Sequence, residues 1–339
     1  MSARIDGELG FLFSEAEITR SCVLAKGCAL RNALERRVAS GTVVNVAPGL
    51  YVRAEYWKCL NRNARVLHMI RGLSELHPTW VFCFTSAALV HGFEVSRFLS
   101  LEVHIVSSHA RRMGPIVHHA KRHVDACRVN GINVTSVVQT VFDCVRYLST
   151  PLALSVADSA LRLQGGSGSD LAGTLEISHK GYRGVSRALA LAELADERSE
   201  NGGESYARAI MLEHGVMPPE LQVEYVDPFG GGPFRTDYSW RGLPMGDVAG
   251  ELDGVGKSED TELLGSRSTR DVLRAERLRE SRLTALGLKV ARFSFRQVRN
   301  VYPLLDILDG FGVPRDERNA LDIPAPVPIA GDTRYGWIR

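Results

Sequence analysis

Three acids sit inside or at the end of stretches that otherwise read as β-strand: Asp237, Glu251 and Asp253, with Lys257 four positions further on. Over 234–240 a period of two sets Phe234, Thr236, Tyr238 and Trp240 on one face and Arg235, Asp237 and Ser239 on the other. Over 245–253, Ala249, Glu251 and Asp253 share one face while Val248, Gly250 and Leu252 share the opposite one. A carboxylate inside a strand is costly unless something offsets its charge. A divalent cation would do so. Asp237, Glu251 and Asp253 offer the hard oxygen donors that Mg²⁺ takes, with positions left for water and a phosphate. Lys257 is then placed to orient or deprotonate that water and to balance charge on a pentavalent phosphate. From spacing alone a second reading stands beside this one: Asp253-Gly254 is a turn and Glu251 lies on an exposed edge.

The elements that must position these residues run, from 204 to 310, as helix, strand, strand, strand, helix, strand, helix. Residues 204–213 read as a helix closed by His214-Gly215, and 221–226 alternate as a strand. The run 227–232, Asp-Pro-Phe-Gly-Gly-Gly, turns the chain into 234–240. A helix is expected from about 269 to 286, with Val272, Leu273, Leu278, Leu283 and Leu286 toward the sheet. Arg270, Arg274, Arg277 and Arg282 would then project toward phosphates. Pairing of Arg277 and Arg279 with Glu276 and Glu280 is the alternative use of those charges. Gly287 stops the helix and 288–293 return as the final strand.

At 339 residues the chain is long enough for two or three domains, and 45% apolar with 24% charged residues is globular composition. The formal charge of +2 hides two basic blocks: ten Lys or Arg against two Glu over 20–71, and ten against three acids over 267–299. A solvated helix face is the plainer reading of such a block and nucleic-acid contact the sharper one. In the first block, Ser14 with Glu17 reads as a capped helix start. A second helix follows over 29–39, with Leu30, Ala33, Leu34 and Val38 on one face and Arg31, Glu35, Arg36 and Arg37 off it. Ser40-Gly41 ends it; 42–46 and 50–52 make a small hairpin turned by Ala47-Pro48-Gly49. Helix, turn, helix, hairpin over 8–58 is the winged helix-turn-helix plan: the second helix reaches a major groove while Asn45 and Arg53 meet phosphates.

Residues 61–165 read as an α+β domain, with a helix over 85–90 broken by Gly92, short strands near 101–105, 115–119 and 131–135, and a helix capped by Ser136 and Gln139. Five histidines between 104 and 123 have no helical HxxxH spacing with an acid, so surface histidines are the plainer reading and a metal the minor one. Residues 166–203 are expected to form a linker with one helix, 164–174 being Gly- and Ser-rich. The tail, 311–339, carries Pro314, Pro324, Pro326 and Pro328 and is expected to be extended, docked by Tyr335 and Trp337. Six scattered cysteines without CxxC spacing, no 18-residue apolar run and no signal-peptide layout point to a reduced, cytoplasmic protein without a membrane partner.

The set Glu204-Ser205, Gln222-Val223, Arg235-Thr236-Asp237-Tyr238, Gly250-Glu251-Leu252-Asp253-Gly254 with Lys257, Arg277-Leu278-Arg279-Glu280 and Val290-Ala291-Arg292-Phe293 resembles a restriction-endonuclease-like domain. More narrowly, it is similar to the domain of unknown function related to very-short-patch-repair endonucleases, within the PD-(D/E)XK superfamily. The resemblance covers 204–310 and implies a mixed sheet flanked by helices, with Mg²⁺ or Mn²⁺ held by Asp237 and Glu251 and approached by Glu204 through water. The lysine that the pattern puts two residues after Glu251 is Asp253 here, so Lys257 serves instead or the catalytic lysine is absent. Residues 11–55, through Leu34-Glu35-Arg36-Arg37 and Pro48-Gly49-Leu50-Tyr51-Val52, resemble the winged-helix domain of AbiEi-type antitoxins, with that family's wing motif shortened. The middle segment is similar to the same proteins through 85–92 and 134–143. Such antitoxins repress their own operon and oppose a nucleotidyltransferase toxin; their architecture does not include the nuclease-like end. Two functions follow as expectations. One is a metal-dependent DNA endonuclease in phage defence, repair or a toxin–antitoxin setting. The other is a transcriptional regulator that keeps a dead nuclease fold for DNA recognition. DNA and a cognate toxin are the implied partners; the oligomeric state stays open, a dimer on a palindromic site being one arrangement such proteins use.

Overall fold

The computed structural model describes residues 2–121, 124–227, 229–230, 232–253 and 281–328. The protein is mixed α/β with small sheets, and it divides into two compact units. The first comprises Met1–Ser149, Gly173–Ala188 and Pro326–Arg339; the second comprises Thr150–Ala172 and Leu189–Ala325. No described helix is long and apolar enough to cross a membrane.

The first unit opens with α1 (Ser2–Ile18), β1 (Val23–Leu24) and α2 (Cys28–Ala39), followed by the hairpin β2 (Val43–Ala47) and β3 (Leu50–Arg53). The three strands form one sheet in the order β1-β3-β2. Ala33 and Leu34 on α2 are fully buried against Leu9, Phe13, Val43 and Tyr51, as the apolar stripe requires. Ser14 does not start a helix. It lies inside α1, and its Oγ donates to the Gly10 carbonyl (3.0 Å), the back-bond a mid-helix serine makes when there is no free N–H to cap.

After α3 (Ala54–Cys59) and α4 (Arg62–Leu76), α5 (Phe84–His91) ends at Gly92 in the left-handed conformation, φ 86°. Strands β4 (Val103–Ser107), β5 (Arg111–Met113) and β6 (Ile116–Ala120) form a sheet in the order β4-β6-β5, with β4 parallel to β6; β7 (Ala126–Val129) and β8 (Ile132–Thr135) form a hairpin. Here the histidines depart from the surface reading. His104, His118 and His119 are all buried, and His104 and His119 share a hydrogen bond of 2.9 Å between ring nitrogens. Burial, then the neighbouring His119, holds His104 well below the usual histidine range, so its ring belongs to the core in neutral form.

Helix α6 (Val137–Tyr147) carries a buried charge, Asp143. Asp143 on α6 is ion-paired with Lys121 and with Arg146 (2.8 Å), and it accepts from Gln139 Nε2 (3.2 Å). Arg146 also lies over the rings of Phe142 and Tyr147, at 4.6 and 4.3 Å to the centroids.

In the second unit α7 (Thr150–Gln164) is clamped to α10 (Gly202–Glu213) by a bidentate pair, Arg208 Nη2 to Asp158 Oδ1 and Oδ2 at 2.9 and 2.8 Å. The Gly/Ser-rich run expected as linker instead starts a helix, α8 (Gly168–Ser178). Ser167 and Asp170 cap it reciprocally, and Gly168 packs where a Cβ would meet the Ala192 carbonyl at 2.6 Å. Composition misled because those glycines and serines serve a cap and a close approach. Helix α9 is Val185–Glu193. Strands β9 (Glu220–Tyr225), β10 (Phe234–Trp240), β11 (Val248–Asp253) and β12 (Lys289–Ser294) form a sheet in the order β12-β11-β10-β9, parallel only between β11 and β12; α11 (Phe295–Arg299) and α12 (Tyr302–Phe311) follow. Tyr238, Trp240, Val248, Ala291 and Phe293 line one face and pack with Ala207, Ile210 and Met211 of α10. Gly250 lies on that face: a Cβ there would be 3.0 Å from the Trp240 ring.

Candidate functional site

The opposite face of this sheet carries the candidate carboxylates. The β10–β11 ladder pairs Trp240 with Val248, Ser239 with Ala249 and Tyr238 with Gly250. One step further in that register sets Asp237 across from Glu251, side chains on the same face with Cβ atoms about 5 Å apart. The ladder ends there with a change of partner. The Leu252 N–H donates to Asp237 Oδ2 (2.8 Å) in place of a backbone carbonyl. Glu251 is buried and Asp253, two residues on, is exposed. In the parallel β11–β12 pair Glu251 is in register with Arg292, which brings a cation onto the acidic face; Arg292 Nη1 stands 3.9 Å from Asp253 Oδ1.

Glu204 reaches this edge from the first turn of α10. Asn201 caps the helix, its Oδ1 accepting from Gly203 N (2.9 Å) and Glu204 N (3.0 Å). Two further bonds anchor the helix start: Ser155 Oγ to the Gly202 carbonyl (2.9 Å) and Tyr238 Oη to the Glu204 carbonyl (2.8 Å). The Glu204 carboxylate accepts from Glu200 N (2.7 Å), Asn201 Nδ2 and Gln222 Nε2 (3.1 Å), all neutral donors. Burial, then the charge of Asp237, pushes its carboxyl up to about 7. Glu204 thus ties down the residues just before α10 while its own carboxyl is held well above the usual carboxylate range.

Gln222 is the residue that sequence reasoning passed over as a site member. It sits at φ 53°, in the left-handed region, at the one step where the β9–β10 ladder skips a pair, and that step faces Asp237. A non-glycine residue there is held by its surroundings at a cost of about 1–3 kcal/mol. The signal in the sequence was a lone glutamine in an alternating strand, opposite the acid by hairpin register.

No group of three or more His, Cys, Asp or Glu side chains set to hold a metal occurs among the described residues. Lys257, Arg270, Arg274 and Arg277 lie outside the described residues. In the first unit, Arg31, Arg36 and Asn45 are exposed on α2 and β2. Arg37 is instead paired with Asp6, and Arg53 with Glu17 (2.9 Å) and over the Phe13 ring, so both brace α1. A separate cavity of about 320 Å³ in the same unit is lined by Asp125, Gln139, Ser178, His179 and Tyr182 with two valines, none of them a candidate residue.

No family model matches the chain. Two uncharacterized proteins of Mycobacterium tuberculosis, from strains CDC 1551 / Oshkosh and ATCC 25618 / H37Rv, are each 29% identical over 210 residues, which is 62% of this chain and 74% of theirs.

Proposed function

We propose that this chain is a cytoplasmic DNA-binding protein with a Mg²⁺- or Mn²⁺-dependent endonuclease-like domain, acting in phage defence or beside a cognate toxin. In this reading α1, α2 and the β2–β3 wing form a winged helix-turn-helix of the AbiEi type, with Arg31 and Arg36 facing DNA. The second unit is a PD-(D/E)XK-type sheet behind it in sequence. The observation that carries the reading is Glu204: an acid fixed by a strained glutamine, beside Asp237, with its carboxyl at about 7.

The donor set suits Mg²⁺, which is commonly bound by one or two carboxylates together with substrate phosphate. Asp237 and Glu251 would hold it through their carboxylate oxygens. When bound, the ion supplies Lewis-acid polarisation of the phosphoryl oxygen. Glu204 then holds or releases a proton near neutral pH, Gln222 keeps its Oε2 in place, and Lys257 orients the attacking water. Asp253 assists from the edge of the sheet.

A second reading, a regulator with a dead nuclease fold, draws on Asp253, an exposed acid where the pattern expects a lysine. Supercoiled plasmid incubated with Mg²⁺ or Mn²⁺ decides between them. Metal-dependent nicking that is lost in Glu251→Ala supports the nuclease; binding without nicking by either protein supports the regulator.

A further inference from the structure

The acidic face has a cation that the sequence pattern does not assign. Arg292 lies on β12 in parallel register with Glu251, so it shares a face with Asp237, Glu251 and Asp253. Its side chain is 29% exposed, its Nε is buried with no hydrogen-bond partner among the described residues, and its nearest carboxylate stands off at 3.9 Å. What sets it apart is the missing close carboxylate: Arg208, whose Nε is likewise unbonded, is paired with Asp158 at 2.8 Å, Arg282 with Asp227 at 2.7 Å and Arg315 with Asp309 at 2.7 Å. An unbonded guanidinium N–H in a buried position is expensive and calls for an acceptor. Beside carboxylates that would hold a cation, the acceptor of fitting charge and geometry is a phosphate oxygen, which a guanidinium meets with two N–H groups.

We propose that Arg292 is a phosphate-binding residue of this site, gripping a non-bridging oxygen of the DNA backbone and supplying the positive charge absent from position 253. The proposal rests on the nuclease-fold reading, yet it does not require cleavage.

The test is duplex-DNA affinity of the full chain over a salt series in EDTA, repeated as cleavage with Mg²⁺, for wild type, Arg292→Gln and the control Arg241→Gln, whose arginine is exposed and paired with Glu220. Arg292→Gln is expected to lower the slope of log K against log[salt] by about 0.9 while Arg241→Gln leaves it unchanged. Where wild type cuts, kcat is expected to fall about 100-fold in Arg292→Gln, with KM changed far less. An unchanged slope in Arg292→Gln, or an equal drop in Arg241→Gln, overturns the proposal. If wild type binds and never cuts while Arg292→Gln still lowers the slope, catalysis fails and the phosphate contact stands. Should Arg292→Gln not fold, Arg292→Lys takes its place: it keeps the charge and loses the two-pronged grip, so three- to thirty-fold weaker binding supports the proposal and wild-type affinity overturns it.

Discussion

Asp143 in the first unit and Glu204 in the second are both buried acids on helices, and they are treated in opposite ways. Asp143 is met by Lys121, by Arg146, which itself lies over the Phe142 ring, and by an amide. Glu204 is met by three neutral N–H donors and faces another acid, and its carboxyl moves to about 7. A fully compensated charge locks a fold; one held by dipoles alone stays chemically responsive. The difference separates charge used for architecture from charge kept for chemistry.

The sharpest way to break this contrast is to delete each acid. Asp143→Ala strands the buried Arg146 and the half-buried Lys121, so urea unfolding should show a loss of about 3–5 kcal/mol; a loss under 1 kcal/mol would mean the cluster is not structural. Glu204→Gln should act in the other direction at high pH. The native carboxyl at about 7 lies above its ordinary 4.5, so the native state binds the proton more tightly. That contribution is complete below pH 4.5 and is lost as pH rises through 7. An amide cannot ionise, so the variant should lead wild type by about 2–3 kcal/mol at pH 8 and by almost nothing at pH 4. Melting curves at those two pH values that run parallel would remove the contrast.

A smaller effect tests what the responsive acids are for. Mg²⁺ at 10 mM should raise wild-type stability by about 1–2 kcal/mol at pH 8, and Glu251→Ala should abolish the gain while leaving the Asp143 cluster untouched. Calorimetry that finds equal gains in both would place cation binding elsewhere. Smallest in stability is neutralisation of Arg31 and Arg36 together, both exposed: folding should shift by under about 0.5 kcal/mol. Its effect belongs to DNA, where the salt slope should fall by about 1.8. An unaltered slope would take α2 out of the DNA-facing surface.

Much of the second unit was legible because strand alternation and helix stripes are read locally. Phe234–Trp240 begins and ends where the pattern puts it, and the two faces separate as the period demands. Asp237 and Glu251 come opposite each other because hairpin register is arithmetic once the strands are known. What was not legible depends on partners distant in the chain. Ser14 looks like a cap until the helix before it is seen, and Ser167 looks like linker until Asp170 closes on it. Histidines at 104 and 119 look superficial until strand pairing brings them together. Gln222 carries no local mark of its backbone conformation. Arg37 and Arg53 were read for charge, which says nothing about whether a carboxylate on α1 has claimed them.

The two units interleave along the polypeptide: the chain leaves the first after Ser149, returns for Gly173–Ala188, leaves again, and comes back at Pro326, where Val327 N donates to the Arg146 carbonyl (2.8 Å). Neither unit is therefore a continuous stretch of gene. A stop codon near 320 would take Pro326–Arg339 from the first unit, and a protease nick near 150 would leave Gly173–Ala188 of the first unit on the fragment that carries the second.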